Sequence, residues 1–99
     1  NLQNAQGQAI GVEIGTPAVT SPGMEAYVPI AAEALASGLK EASPGLIDVD
    51  VSQRGWAEVV FGPQQMRSRW HFISTVLDRR FTVSTSKDVV CQTGQRRFS

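Results

Sequence analysis

Only a few side chains in this 99-residue chain are singled out by type and spacing for chemistry, and three of them stand close together in "MRSRWHFI". His71 is the sole histidine, flanked at strand spacing by Arg67 and Arg69. A catalytic or metal-bound imidazole needs partners. Two neighbouring guanidinium groups disfavour its protonation and repel a metal cation, so the residues themselves favour an exposed-face histidine. Asp48 and Asp50 are spaced to project from one face of a strand, a geometry that could bind a divalent cation but that any half-exposed strand also shows. Cys91, the only cysteine, lies in a short apolar run without a histidine nearby and reads as a buried, inert thiol. Thr16, Thr20 and Ser21, in "TPAVTSPG", could touch a phosphate through hydroxyls and backbone amides, although turn stabilisation accounts for the same residues. No glycine-rich phosphate loop, Ser/His/Asp set or metal-ligand spacing is present.

The elements that must carry these residues follow from periodicity. "AIGVEIGTP" alternates as a strand stopped by Gly15 and Pro17. "EAYVPIAAEALASGLKEASPG" predicts one amphipathic helix, with Ile30, Ala31, Ala34, Leu35, Gly38, Leu39 and Ala42 on one face and Pro29 in its first turn. Gly38 suggests close packing of that face against a neighbour. "LIDVDVS" predicts a strand with Asp48 and Asp50 on the wet side.

"GWAEVVF" is apolar on nearly both faces and predicts an interior strand. "GPQQ" is a turn, and "MRSRWHFISTVL" predicts a strand nearer an edge. Met66, Trp70, Phe72 and Val76 form its buried face, with Arg67, Arg69, His71 and Thr75 opposite. Trp56 and Trp70 are expected as packing anchors of this hairpin. "RFTVSTS" and "DVVCQTG" offer further short strands. The expected fold is α+β: strand, loop, one helix, then an antiparallel meander, as a single domain over residues 1–99.

Composition sets the remaining bounds. Apolar residues at 41% and charged ones at 18% place the chain with globular proteins. The formal charge is zero, yet the halves differ: Lys40 stands against six carboxylates in residues 1–50, whereas eight basic residues face Glu58, Asp78 and Asp88 beyond. Halves that neutralise one another explain this better than a nucleic-acid surface, so no nucleic acid is expected. No apolar run approaches the roughly 18 residues of a membrane span. One cysteine excludes an intrachain disulfide and leaves the compartment open. The start "NLQNAQGQAIG" lacks Met, which fits a chain cut from something longer.

Three pieces in order, "VEIGTPAVTSPGMEAYVP", "DVSQRGWAEVVFGPQQMRSRWHFISTV" and "STSKDVVCQTGQ", resemble the C-terminal part of the PhoD-like alkaline phosphatases. In that family a strand leads to a Thr/Ser-Pro-Gly loop, here Thr20 to Gly23. Later come an Arg-Gly-Tyr or Arg-Gly-Trp strand, here Arg54 to Trp56, and a Val-Asp-Thr-Val-like segment, here Ile73 to Val76. The match covers roughly residues 9 to 94. It implies a fragment of a two-sheet α/β/β/α metallophosphoesterase fold and a periplasmic or secreted parent. That parent would hydrolyse phosphomonoesters or phosphodiesters with divalent metal ions such as calcium or iron.

The resemblance also implies that a Gly-Asp-x-His motif precedes Asn1. None of the family's metal-binding motifs lies within these residues, and Ser43, Pro44 and Gly45 stand where the family often has Asn-Pro-His. Carried over to this chain, the resemblance implies that only Thr16, Thr20 and Ser21 lie beside the substrate or behind the metal ligands, with no catalytic or metal residue. The implied partners are the remainder of the phosphatase and its phosphoester substrate. A homodimer through an unpaired edge of the first strand is a further expectation. The competing expectation is an independent binding module using the Arg67, Arg69 and His71 face for an anionic partner. A small autonomous hydrolase is a third.

Overall fold

A computed structural model describes all 99 residues. Its longest continuous pairing is the hairpin of β3 (Arg54–Phe61) and β4 (Gln65–Ile73), antiparallel from Arg54 opposite Ile73 to Phe61 opposite Met66. These residues are mostly β-branched, aromatic or long, and suit a pleated surface. The Gly62 N–H donates to the Gln65 carbonyl at 2.9 Å and closes the turn. Two shorter strands line the other side of β4, one behind the other. β5 (Val83–Thr85) lies opposite His71 to Ile73, and β6 (Val89–Gln92) opposite Gln65 to Ser68. Ser86 bridges the gap between them: the Trp70 N–H donates to its Oγ and its own N–H to the Trp70 carbonyl, each at 2.8 Å.

β4 is therefore the central strand and β3 an edge, the reverse of the expectation from β3's apolar faces. Strand β4 also ends at Ile73, so Thr75 and Val76 lie beyond it and Val76 is exposed. Pleating puts Trp56 on the same face as Arg67, Arg69 and His71, and Trp70 on the other. The two tryptophans do not anchor one core.

The first strand is much shorter than its alternation suggests. Leu2–Gln3 (β1) and Ala9–Gly11 (β2) pair as a small separate hairpin, so β2 already has a partner within the chain. Asn4 Oδ1 accepts the Gln6 and Gln8 N–H groups and shapes its turn. After Gly11 the chain leaves this hairpin and crosses the Trp70 face of the main sheet.

Helix α1 spans Ala32–Ala42, with a separate 3-10 turn at Met24–Ala26. Pro29 precedes the helix instead of occupying its first turn. Gly38 meets nothing where a Cβ would stand, so the close approach expected at that position is absent. "LIDVDVS" forms no strand. Asp50 Oδ1 accepts the N–H groups of Ser52 at 2.9 Å and Gln53 at 2.7 Å, and this local turn replaces the ladder that alternation predicted.

Together these elements make an α+β chain one sheet thick, 43 × 31 × 17 Å. No apolar side chain is buried, and Gly55 and Ser68 are the only buried residues. The radius of gyration is 15.1 Å, against about 13 Å for a compact domain of this length. No helix is long and apolar enough to cross a membrane.

Candidate functional site

The loop carrying Thr16, Thr20 and Ser21 is fastened to the main sheet at three places. The Trp70 indole N–H donates to the Gly15 carbonyl at 2.7 Å, and the Gly55 N–H donates to the Ala18 carbonyl at 3.1 Å. At the far end Arg54 pairs through Nη2 with Glu25 Oε1, while its Nη1 donates to the Ser52 carbonyl at 2.7 Å. The Arg54 side chain is 13% exposed and that of Glu25 29%, which makes this pair a half-buried latch. The Arg54 guanidinium holds the Glu25 carboxyl below the usual range, against the opposing effect of burial.

Two glycines permit these contacts. A Cβ on Gly55 would collide with the His71 carbonyl oxygen, and one on Gly23 would collide with the Glu25 carboxylate. Beside the loop lies a shallow cleft of about 210 Å³ lined by Pro17, Ala18, Gly23, Leu39, Val49 and Arg54.

Thr16, Thr20 and Ser21 are all exposed on this loop. The Thr16 hydroxyl makes one long bond to the Pro17 carbonyl, 3.5 Å, and the Thr20 and Ser21 hydroxyls are free of protein partners. Such hydroxyls can donate to phosphate oxygens. Arg54 is committed to Glu25, so it adds no unpaired positive charge.

The second candidate surface is the face of β3 and β4 that bears Arg67, Arg69 and His71. Its cations are matched by two carboxylates from other elements. Arg69 Nε lies 3.2 Å from Asp88 and 3.8 Å from Glu58, and Arg67 Nη1 lies 3.5 Å from Asp88. His71 Nε2 meets Glu58 Oε2 at 2.8 Å and Nδ1 meets Thr85 Oγ1 at 2.9 Å, with Trp56 stacked on its ring at 5.0 Å. The hydrogen bond from His71 lowers the Glu58 pKa; burial opposes this, while the charges of Arg69, His71 and Arg67 assist.

With its side chain 15% exposed, His71 is not the open-face residue that parity predicted. With Nε2 protonated, Nδ1 would accept the Thr85 hydroxyl proton, a hydroxyl–imidazole–carboxylate order seen in nucleophilic sites. Here the array lies on an open sheet face, outside the cleft beside the loop. Its evident effect is to tie β3, β4 and β5 together. Glu58, Thr85 and Asp88 were not singled out from sequence. The signal for Glu58 was its strand parity, readable only once Glu58 is placed opposite Arg69.

The remaining candidates stay apart. Asp50 is taken up in its turn, where burial raises its pKa but hydrogen bonds from Gln53 and Ser52 lower it further. Asp48 lies 3.4 Å from Lys40 on an exposed surface. No three His, Cys, Asp or Glu side chains gather in a group that could hold a metal ion. Cys91 is half-buried on β6, not fully buried as expected. No known protein family, curated protein or solved structure matches this chain.

Proposed function

We propose that this chain is a structural C-terminal portion of a PhoD-like metal-dependent phosphoester hydrolase. It would carry the sheet and loop that border a catalytic centre located elsewhere in the parent. The observation that supports this reading most is the joining of the three resembling segments. The Thr-Ser-Pro-Gly loop is held by Arg54, Gly55 and Trp70 of the second segment, and β6 of the third pairs with β4. A layer without a buried apolar side chain also suits a piece that packs on a larger body.

In this role Thr16, Thr20 and Ser21 face the phosphoester side, and the parent supplies the divalent metal ions, calcium, iron or similar. A metal-dependent hydrolase needs ligands that hold the ion and lower the pKa of its water. The parent's periplasmic or secreted location belongs to the same proposal. The alternative, an anion-binding face at Arg67, Arg69 and His71, has its cations occupied by Glu58 and Asp88.

The test is turnover of bis-4-nitrophenyl phosphate by the purified 99 residues with calcium, iron or manganese added. No turnover is expected from the chain alone. Turnover that disappears on chelation would overturn the proposal in favour of a small autonomous hydrolase.

A further inference from the structure

We propose that the free edge of β3 pairs antiparallel with β3 of a second copy, about a two-fold axis at Val59. The starting point is the direction of the backbone groups. The Gly62 N–H turns toward β4 and bonds Gln65, whereas the Gly55 N–H turns away from β4 and bonds Ala18. In a regular antiparallel ladder this direction alternates, so Ala57, Val59 and Phe61 aim their N–H and C=O groups outward as Gly55 does. No other strand borders this edge, and these groups have no backbone partner.

Such an edge is a template for another strand unless something protects it. β3 contains no proline, no lysine and no irregularity in its register with β4. Phe61 is 79% exposed beside this edge.

The occupant follows from the register. The free stretch runs from Ala57 to Phe61 and is centred on Val59. Pairing about Val59 sets Val59 against its copy and Ala57 against the copy's Phe61, so every free N–H and C=O in the stretch finds a partner. Glu58 then faces Val60 of the other copy. An axis at Glu58 would set the two Glu58 carboxylates directly opposite each other, which is destabilising, and would oppose Phe61 to Gly55, whose N–H already bonds Ala18. An axis at Val60 would oppose Ala57 to Pro63, which has no N–H. The strand is thus complementary to itself in one register, as a two-fold interface requires.

The exposed surface is more than one such pairing would cover. The chain exposes 7136 Å², roughly 1,600 Å² more than a folded monomer of its mass. A standard interface removes about 800 Å² from each partner. This pairing uses only β3 and does not depend on the phosphatase reading.

The test is site-specific cross-linking in the 99-residue chain with Cys91→Ser. Val59→Cys places two thiols on directly opposed residues with Cα atoms about 5.5 Å apart, inside the disulfide range. Val60→Cys places them two residues out of step and beyond that range. Mild oxidation should convert Val59→Cys to a covalent dimer an order of magnitude faster than Val60→Cys. Light scattering of the unmodified chain should give twice 10.7 kDa. Val59→Lys should return the monomer mass with an unchanged far-ultraviolet spectrum. A folded monomer of the unmodified chain at micromolar concentration, or equal cross-linking at the two positions, would overturn the proposal.

Discussion

Glu25 and Gly55 show how single residues hold the loop at the candidate site. The Arg54 guanidinium keeps the Glu25 carboxyl low when the chain is folded. A lowered folded-state pKa stabilises the fold above the ordinary glutamate range, and that contribution is lost as pH falls through the folded value. Stability should therefore decline as pH falls below the ordinary glutamate range. Glu58, lowered first by His71, adds to the same decline. Glu25→Gln should flatten part of that slope, read from urea midpoints at several pH values; an unchanged slope would mean that the pair does not latch the loop. Gly55 tests packing instead. Gly55→Ala forces a Cβ into the His71 carbonyl and should cost about 2–3 kcal/mol through overpacking and ladder displacement, measured by urea unfolding. The alternation around His71 correctly put it on one face with Arg67 and Arg69. Its partners Glu58 and Thr85 were hidden because they depend on the register of two other strands.

At the scale of elements, the meander was the most legible part of the sequence. The hairpin, its Gly-Pro turn and the two short strands after it lie where alternation and turn residues put them. The rank of the strands was not legible, because apolar character on both faces says that a strand is covered somewhere and does not say by what. β3 reads as interior yet forms an edge of this sheet. "LIDVDVS" failed for a local reason: the Asp50 carboxylate captures the Ser52 and Gln53 amides before a neighbouring strand can. Helix α1 was recognisable from its spacing, but its apolar face packs extensively on no strand. The loop carrying Thr16, Thr20 and Ser21 gains its order from contacts remote in sequence, above all the Trp70 indole on Gly15. Trp70→Phe removes that donor and leaves the carbonyl without a protein partner, at a cost of about 1 kcal/mol. It should expose residues 16–23 to limited proteolysis sooner than the β3–β4 hairpin. Equal rates of cleavage in the variant and the parent chain would show that the indole bond does not fasten the loop.

Across the whole molecule, the decisive feature is a sheet with paired strands and no buried apolar side chain. The ladder from β3 through β4 to β5 and β6 supplies order, while both faces retain apolar surface that a second layer would cover. Composition gave no warning of this, since 41% apolar content suits a chain with its own core equally well. The phosphatase reading and the β3 pairing both treat the chain as a layer that gains stability from what it packs or pairs with. Native-state hydrogen exchange on the 99-residue chain tests this most directly, because it reports the opening free energy of each segment. The slowest amides should be those of β4, which is paired on both sides, and helix α1 should exchange close to its unfolded rate. Protection of α1 equal to that of β4, with both at the global unfolding free energy, would show one self-sufficient core and contradict the account.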